Sequence, residues 1–151
     1  FLDAFNALVA DKERLLDECR TMQAVLTDTG SLDSEIAALL SEMEVVAELT
    51  KRCIEKNSTT AQDQAAYLER YNGLADRYET AKAKLEKLQA TKAQREAKSE
   101  DIGGFMFELA EYGDSITEFD DRLWLTVIDT VTVHRDGRLT FKFQTGHEIT
   151  V

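Results

Sequence analysis

The sequence predicts a mainly α fold, with long antiparallel coiled-coil helices and a small C-terminal antiparallel β-meander. Three observations carry that class. The 151 residues contain no proline, the residue that breaks helix interiors by removing an N–H and clashing with the preceding turn. Apolar residues recur in alternating steps of four and three along much of the first ninety positions, which lays them on one helix face. Beyond residue 130 the period falls to two on either side of Asp136-Gly137, a strong hairpin signal. The chain then divides into an N-terminal helix (1–30), a coiled-coil hairpin (31–101) and a β anchor with short helices (102–151).

The first helix is expected from Phe1 to about Leu26, its stripe being Phe1, Phe5, Leu8, Lys12, Leu15, Cys19, Met22 and Leu26. Thr27 to Ser31 breaks it, with Gly30 suited to a left-handed C-cap and Ser31 to the next N-cap. A second helix carries Leu32, Ile36, Leu39, Met43, Val46, Thr50 and Cys53, and ends near Lys56-Asn57. Thr60-Ala-Gln-Asp63 reads as a capping box, with Asp63 in the place of the usual glutamate. The third helix then has the most regular seam, with Tyr67, Tyr71, Leu74, Tyr78, Ala81, Leu85 and Leu88 at unbroken 4-3 spacing. A stripe so narrow needs a partner helix. Lys92 and Arg95 follow on the same positions, so the partner should end or splay there. Helix from Thr60 to Ser99 would reach roughly 60 Å at about 1.5 Å per residue.

Gly103-Gly104 is read as an interruption before Phe105, Met106, Phe107 and Leu109, and Gly113 to Ser115 as a second break. A short helix from Asp120 to Ile128 follows, N-capped by Asp120, with Leu123, Trp124, Val127 and Ile128 turned inward. Three strands come last: 131–135, 138–143 and 147–151, joined by turns at Asp136-Gly137 and Thr145-Gly146. The expected anchor core is Phe119, Trp124, Val127, Ile128, Val131, Val133, Phe141 and Phe143. So small a meander leaves an edge strand unpaired, which suggests that it completes a sheet begun upstream of Phe1. A first residue other than Met points the same way, to a piece of a larger protein.

The net charge is −11, and residues 100–130 hold one basic residue against nine acidic ones. Phosphate neutralisation supplies most non-specific nucleic-acid affinity, so an acidic chain without a basic stripe is a poor DNA binder on its own. No apolar run approaches membrane-spanning length, and no basic-then-apolar leader follows Phe1. Cys19 and Cys53 are 34 residues apart with no histidine near, so they read as reduced core thiols and not as zinc ligands, in keeping with a cytoplasmic setting.

Catalytic candidates are few. Glu118, Asp120 and Asp121 resemble a metal cluster less than a helix N-terminus using the macrodipole. His134 beside Asp136 reads as a pair of hairpin-turn residues, with no nucleophile near it in sequence. The serines sit in no nucleophile motif, and Gly103-Gly104 lacks the flanks of a phosphate loop. Tyr67, Tyr71 and Tyr78 have the spacing of a buried seam more than of a base-stacking ladder, and their polar tips would lie at the seam edge. No catalytic, cofactor or metal residue is expected.

Two stretches resemble a known family. The run from Asn57 through Ala61, Asp63-Gln64, Tyr67, Arg70-Tyr71, Leu74 and Arg77-Tyr78 is similar to a tyrosine-rich run of the large serine recombinases of mobile elements. The run from Glu118-Phe-Asp through Leu123-Trp124, Val131, Val133, Asp136-Gly137, Phe141, Phe143, Gly146 and Glu148-Ile149 is similar to their C-terminal motif. Together the two runs span about the last 95 residues, in the same order. The resemblance implies a parent with a catalytic serine domain and DNA-binding domains, including a zinc ribbon, none of which lies in this chain. It implies no cofactor here. The partners it implies are other recombinase subunits, met through the coiled coil, with DNA reached only through upstream domains and a homodimer left open. The implied role is synapsis of two DNA sites and control of recombination direction, with an arm tip at Asn57, Thr60 and Gln64. The competing reading is a non-enzymatic coiled-coil adaptor or spacer, and a third is a regulator that masks a partner by helix addition.

Overall fold

The computed structural model describes residues 1–113 and 115–151. Within them the helices are α1 (Leu2–Val9), α2 (Lys12–Thr27), α3 (Gly30–Thr59), α4 (Gln64–Glu111) and α5 (Asp121–Val127). The strands are β1 (Ile128–Val133), β2 (Leu139–Phe143) and β3 (Glu148–Thr150). The molecule is therefore mainly helical, with a small three-stranded antiparallel sheet at the C-terminal end, as the periodicities predict. Two compact units are present: Phe1–Asp28 with Arg95–Val151, and Thr29–Gln94. Helix α4 contributes residues to both. Among the described residues no helix is long and apolar enough to cross a membrane.

The first unit holds the main core. Phe5, Val9 and Cys19 from α1 and α2, Ile102, Phe105 and Leu109 from α4, Leu123 and Val127 from α5, and Phe141 and Phe143 from β2 are all buried together. Spacings of three and four within each helix put these residues on its inner face. Asp120 caps α5 by accepting a hydrogen bond from Leu123 N at 2.9 Å. The sheet is a meander in the order β1-β2-β3, with Val131 paired to Phe141 and Phe141 to Ile149. Among the described residues, Gly137 and Gly146 are the ones with positive φ, at 87° and 89°. In each turn the glycine N–H returns to the carbonyl three residues earlier, His134 and Phe143 respectively. Both hairpins thus use the three-residue loop that needs a left-handed residue in last place.

The second unit is an antiparallel helical hairpin. Three cross-helix contacts establish its direction: Asn57 with Gln64, Glu42 with Arg77, and Asp33 with Lys92. As the α3 number falls, the α4 number rises. Along α3 the seam residues Leu32, Ile36, Leu39, Met43, Val46, Thr50 and Cys53 are each buried or half-buried. On α4 the same holds for Tyr67, Tyr71, Leu74, Tyr78, Ala81, Leu85 and Leu88.

Several boundaries differ from those the sequence predicts. The helix expected over 1–26 is two helices, because Asp11 leaves helical geometry (φ −126°, ψ 62°) and restarts the chain as the N-cap of α2. Gly30 is not a left-handed cap; it is the first residue of α3, and the chain bends at Asp28 and Thr29 instead. Helix α3 runs on to Thr59. The capping box is absent as drawn, since Asp63 is itself the capping residue and accepts from Ala65 N at 2.9 Å. Gly103-Gly104 does not interrupt α4, because buried Ile102 and Phe105 on either side hold the helix to the core. A Cβ at Gly103 would stand 3.0 Å from Gln23 Nε2, which donates to Ser99 O, so this glycine serves close packing of α2. The break expected at Gly113 to Ser115 includes residue 114, outside the described residues; α4 ends at Glu111.

Candidate interaction surface

Residues Thr60–Asp63 join α3 to α4, and the expected tip residues gather there. Gln64 Nε2 donates to Asn57 Oδ1 at 3.1 Å, tying the last turn of α3 to the first of α4. Thr60 is the extended C-cap of α3 and is exposed. The Tyr67 and Tyr71 rings lie 6.1 Å apart, tilted by 33°, so they stack along the seam one helical turn apart.

Charge locks the hairpin register where apolar spacing alone leaves it free. Arg77 grips both carboxylate oxygens of Glu42, with Nη2 to Oε2 at 2.9 Å. This pairing holds the Glu42 carboxyl below its usual range and raises the Arg77 guanidinium. Lys92 Nζ meets Asp33 Oδ1 at 2.6 Å near the start of α3. The Asp33 carboxyl is lowered first by that bond and then by Thr29 Oγ1. Past Leu88 the seam therefore exchanges apolar contact for an ion pair. Arg95 similarly donates to Val25 O at 2.6 Å, satisfying a carbonyl in the last turn of α2.

A groove of about 510 Å³ runs along one side of this hairpin. Its α3 wall includes Ala47, Lys51 and Ile54, and its α4 wall Tyr71, Ala75 and Tyr78. Ile54 is 47% exposed and Leu40, seven residues before Ala47, is 46% exposed. The spacing of Leu40, Ala47 and Ile54 is a heptad beside the buried seam. That spacing is present in the sequence, where the stronger seam next to it masks it. The Glu42–Arg77 and Asp33–Lys92 pairs have no such local signal, because they depend on a register between distant helices.

The expected anchor residues fall into two sets. Val127, Phe141 and Phe143 are buried, and Trp124, Ile128 and Val131 pack half-buried against them. Phe119 and Val133 are not core residues, being 55% and 74% exposed. Phe119 lies on the segment before α5 and packs on one side only, its ring 5.6 Å from Phe1 and 5.8 Å from Trp124. Val133 is the last residue of β1, paired with Leu139 beside the exposed turn at the end of the hairpin.

The polar candidates are occupied with structure. His134 Nε2 contacts Thr140 Oγ1 at 2.7 Å, whereas Asp136 turns to Arg138 Nε at 2.8 Å, so the two do not form a pair. Asp120 spends one oxygen on the α5 cap and the other on Tyr112 Oη at 2.6 Å. Among the described residues no three His, Cys, Asp or Glu side chains converge as a metal cluster would require. Both cysteines are free and buried, and burial, then the Glu18 charge, pushes the Cys19 thiol up to about 11. Comparison with protein-family models, with curated proteins and with solved structures finds no match to this chain.

Proposed function

We propose that this chain is the C-terminal coiled-coil region of a large serine site-specific recombinase. Its α3–α4 hairpin contacts another recombinase subunit during synapsis and biases the direction of recombination. The observation that carries the reading is how the two family-like runs divide. The tyrosine-rich run from Asn57 to Tyr78 occupies one end of a helical hairpin. The run from Glu118 to Ile149 builds α5 and the meander in the other unit. Such a split suits an arm and a mount.

The hairpin has properties that suit an arm. Helix α3 is 30 residues long, about 45 Å at the usual rise, which holds a tip well away from the far end of the hairpin. Its register is set by ion pairs as well as by apolar contact. Residues 29–94 hold 11 acidic and 9 basic residues, so the hairpin has no net positive charge to draw it onto DNA. In this reading the catalytic serine and the DNA-binding surfaces belong to other domains of the recombinase, and the chain itself performs no chemistry.

The test is a Tyr67→Glu/Tyr71→Glu variant of the full-length recombinase. Recombination is expected to fall below detection while binding to a single DNA site stays within about twofold of the parent, with helicity checked by circular dichroism. Loss of site binding in the same variant, or normal recombination, would end this division of labour.

A further inference from the structure

Beside the buried seam, α3 carries a second stripe at 4-3-4-3 spacing: Leu40, Glu44, Ala47, Lys51 and Ile54. Leu40 and Ile54 remain 46% and 47% exposed, and Ala47, Glu44 and Lys51 are exposed as well. Apolar residues at heptad spacing on an open helix face match the side of another helix. The stripe is also close to symmetric about its middle. Leu40 and Ile54 each stand seven residues from Ala47, on opposite sides, and the acidic Glu44 and basic Lys51 flank it at three and four residues. Such a pattern complements itself when reversed.

We infer that a second copy of this chain docks on this face, α3 against α3 in antiparallel orientation, with a twofold axis at Ala47. That axis brings Leu40 against Ile54 of the second copy and Ile54 against its Leu40. Glu44 of each copy then approaches Lys51 of the other, so that every charge on the stripe meets its opposite. Ala47 sits on the axis, where a small side chain lets the two helices approach closely. The groove between α3 and α4, lined on the α4 side by Tyr71, Ala75, Tyr78 and Glu79 and on the α3 side by Ile54 of the stripe and Glu55 beside it, receives the incoming helix. Isologous contact of this kind closes on itself as a dimer and does not propagate into a fibre. An unrelated basic or acidic helix would be opposed by one of the two charges, whereas the reversed copy satisfies both. The inference rests on the reading of the hairpin as an arm that meets another subunit, and it names the face used.

Sedimentation equilibrium of the 151-residue chain tests it. The native chain should show a concentration-dependent monomer–dimer equilibrium. Glu44→Lys and Lys51→Glu should each weaken it roughly tenfold, because each reversal sets like charges opposite one another twice in the symmetric pair. Combining the two reversals should restore the native affinity to within about threefold. Ala47→Cys should form an intermolecular disulfide under mild oxidation that the native chain, with its buried cysteines, does not form. All of these substitutions lie at exposed positions, and circular dichroism verifies that helicity is kept. A chain that stays monomeric up to about 1 mM, or a dimer that both single reversals leave unchanged, or a double reversal that fails to restore affinity, would overturn the inference. The recombinase reading stands or falls separately, because its test reads recombination by the parent protein and not self-association of this chain.

Discussion

Tyr112 Oη donates to one oxygen of Asp120 at 2.6 Å while Leu123 N donates to the other at 2.9 Å, so a single carboxylate joins the end of α4 to the start of α5. The tyrosine is pushed up to about 12, chiefly by that hydrogen bond and then by burial. The Asp120 carboxyl is held below its ordinary range, again chiefly by Tyr112 and next by the Leu123 N–H. A carboxyl lowered in the folded state contributes stability that is present above its unfolded value of about 3.9 and is lost as pH falls through the folded value. Asp120→Asn keeps an oxygen for the cap but discards the charge. The variant should therefore lose less stability than the native chain between pH 7 and about pH 3. Thermal melts at both pH values check this, and an equal acid loss in both proteins would contradict it.

Among the helices and strands, the seams are readable in the sequence and the helix ends are not. The stripes of α3 and α4 depend on a local period that any helix obeys, so Leu39, Val46, Tyr71 and Leu85 can be placed on one face each from spacing alone. Asp11 and Gly103 mislead because helix limits answer to the core. Asp11, an exposed residue beside the apolar stripe, leaves helical geometry and restarts the chain as α2, while two adjacent glycines are carried through by Ile102 and Phe105. The meander is readable because a left-handed turn position selects glycine, and Gly137 and Gly146 supply it. Of the candidate surface, the tip can be located from the sequence, but the Glu42–Arg77 and Asp33–Lys92 locks need the register between helices. Two substitutions probe the hairpin. Leu85, 7% exposed in the seam, should cost about 2–4 kcal/mol when changed to Ala, from lost burial and an incompletely closed cavity. Gly73 lies within α4, and a Cβ added there would meet nothing within 4 Å, so Gly73→Ala should stabilise by about 0.5–1 kcal/mol through a reduced entropy cost. Urea titrations with unchanged slope report both values. A neutral Leu85→Ala would mean that the seam is not packed, and a destabilising Gly73→Ala would mean that this face of α4 is covered.

The proposed arm and the proposed mount fall in different units of the molecule. One is a charged, register-locked hairpin, and the other has an aromatic core with a β-meander. In that reading chemistry and DNA contact belong to other parts of a parent protein. Sequencing the encoding gene upstream of the Phe1 codon tests that assignment most directly. The expected result is an open reading frame continuous with a resolvase-type serine domain, followed by paired Cys-x-x-Cys motifs shortly before Phe1. A reading frame that lacks them, or that joins this chain to an unrelated enzyme, would contradict it and leave a coiled-coil adaptor in its place.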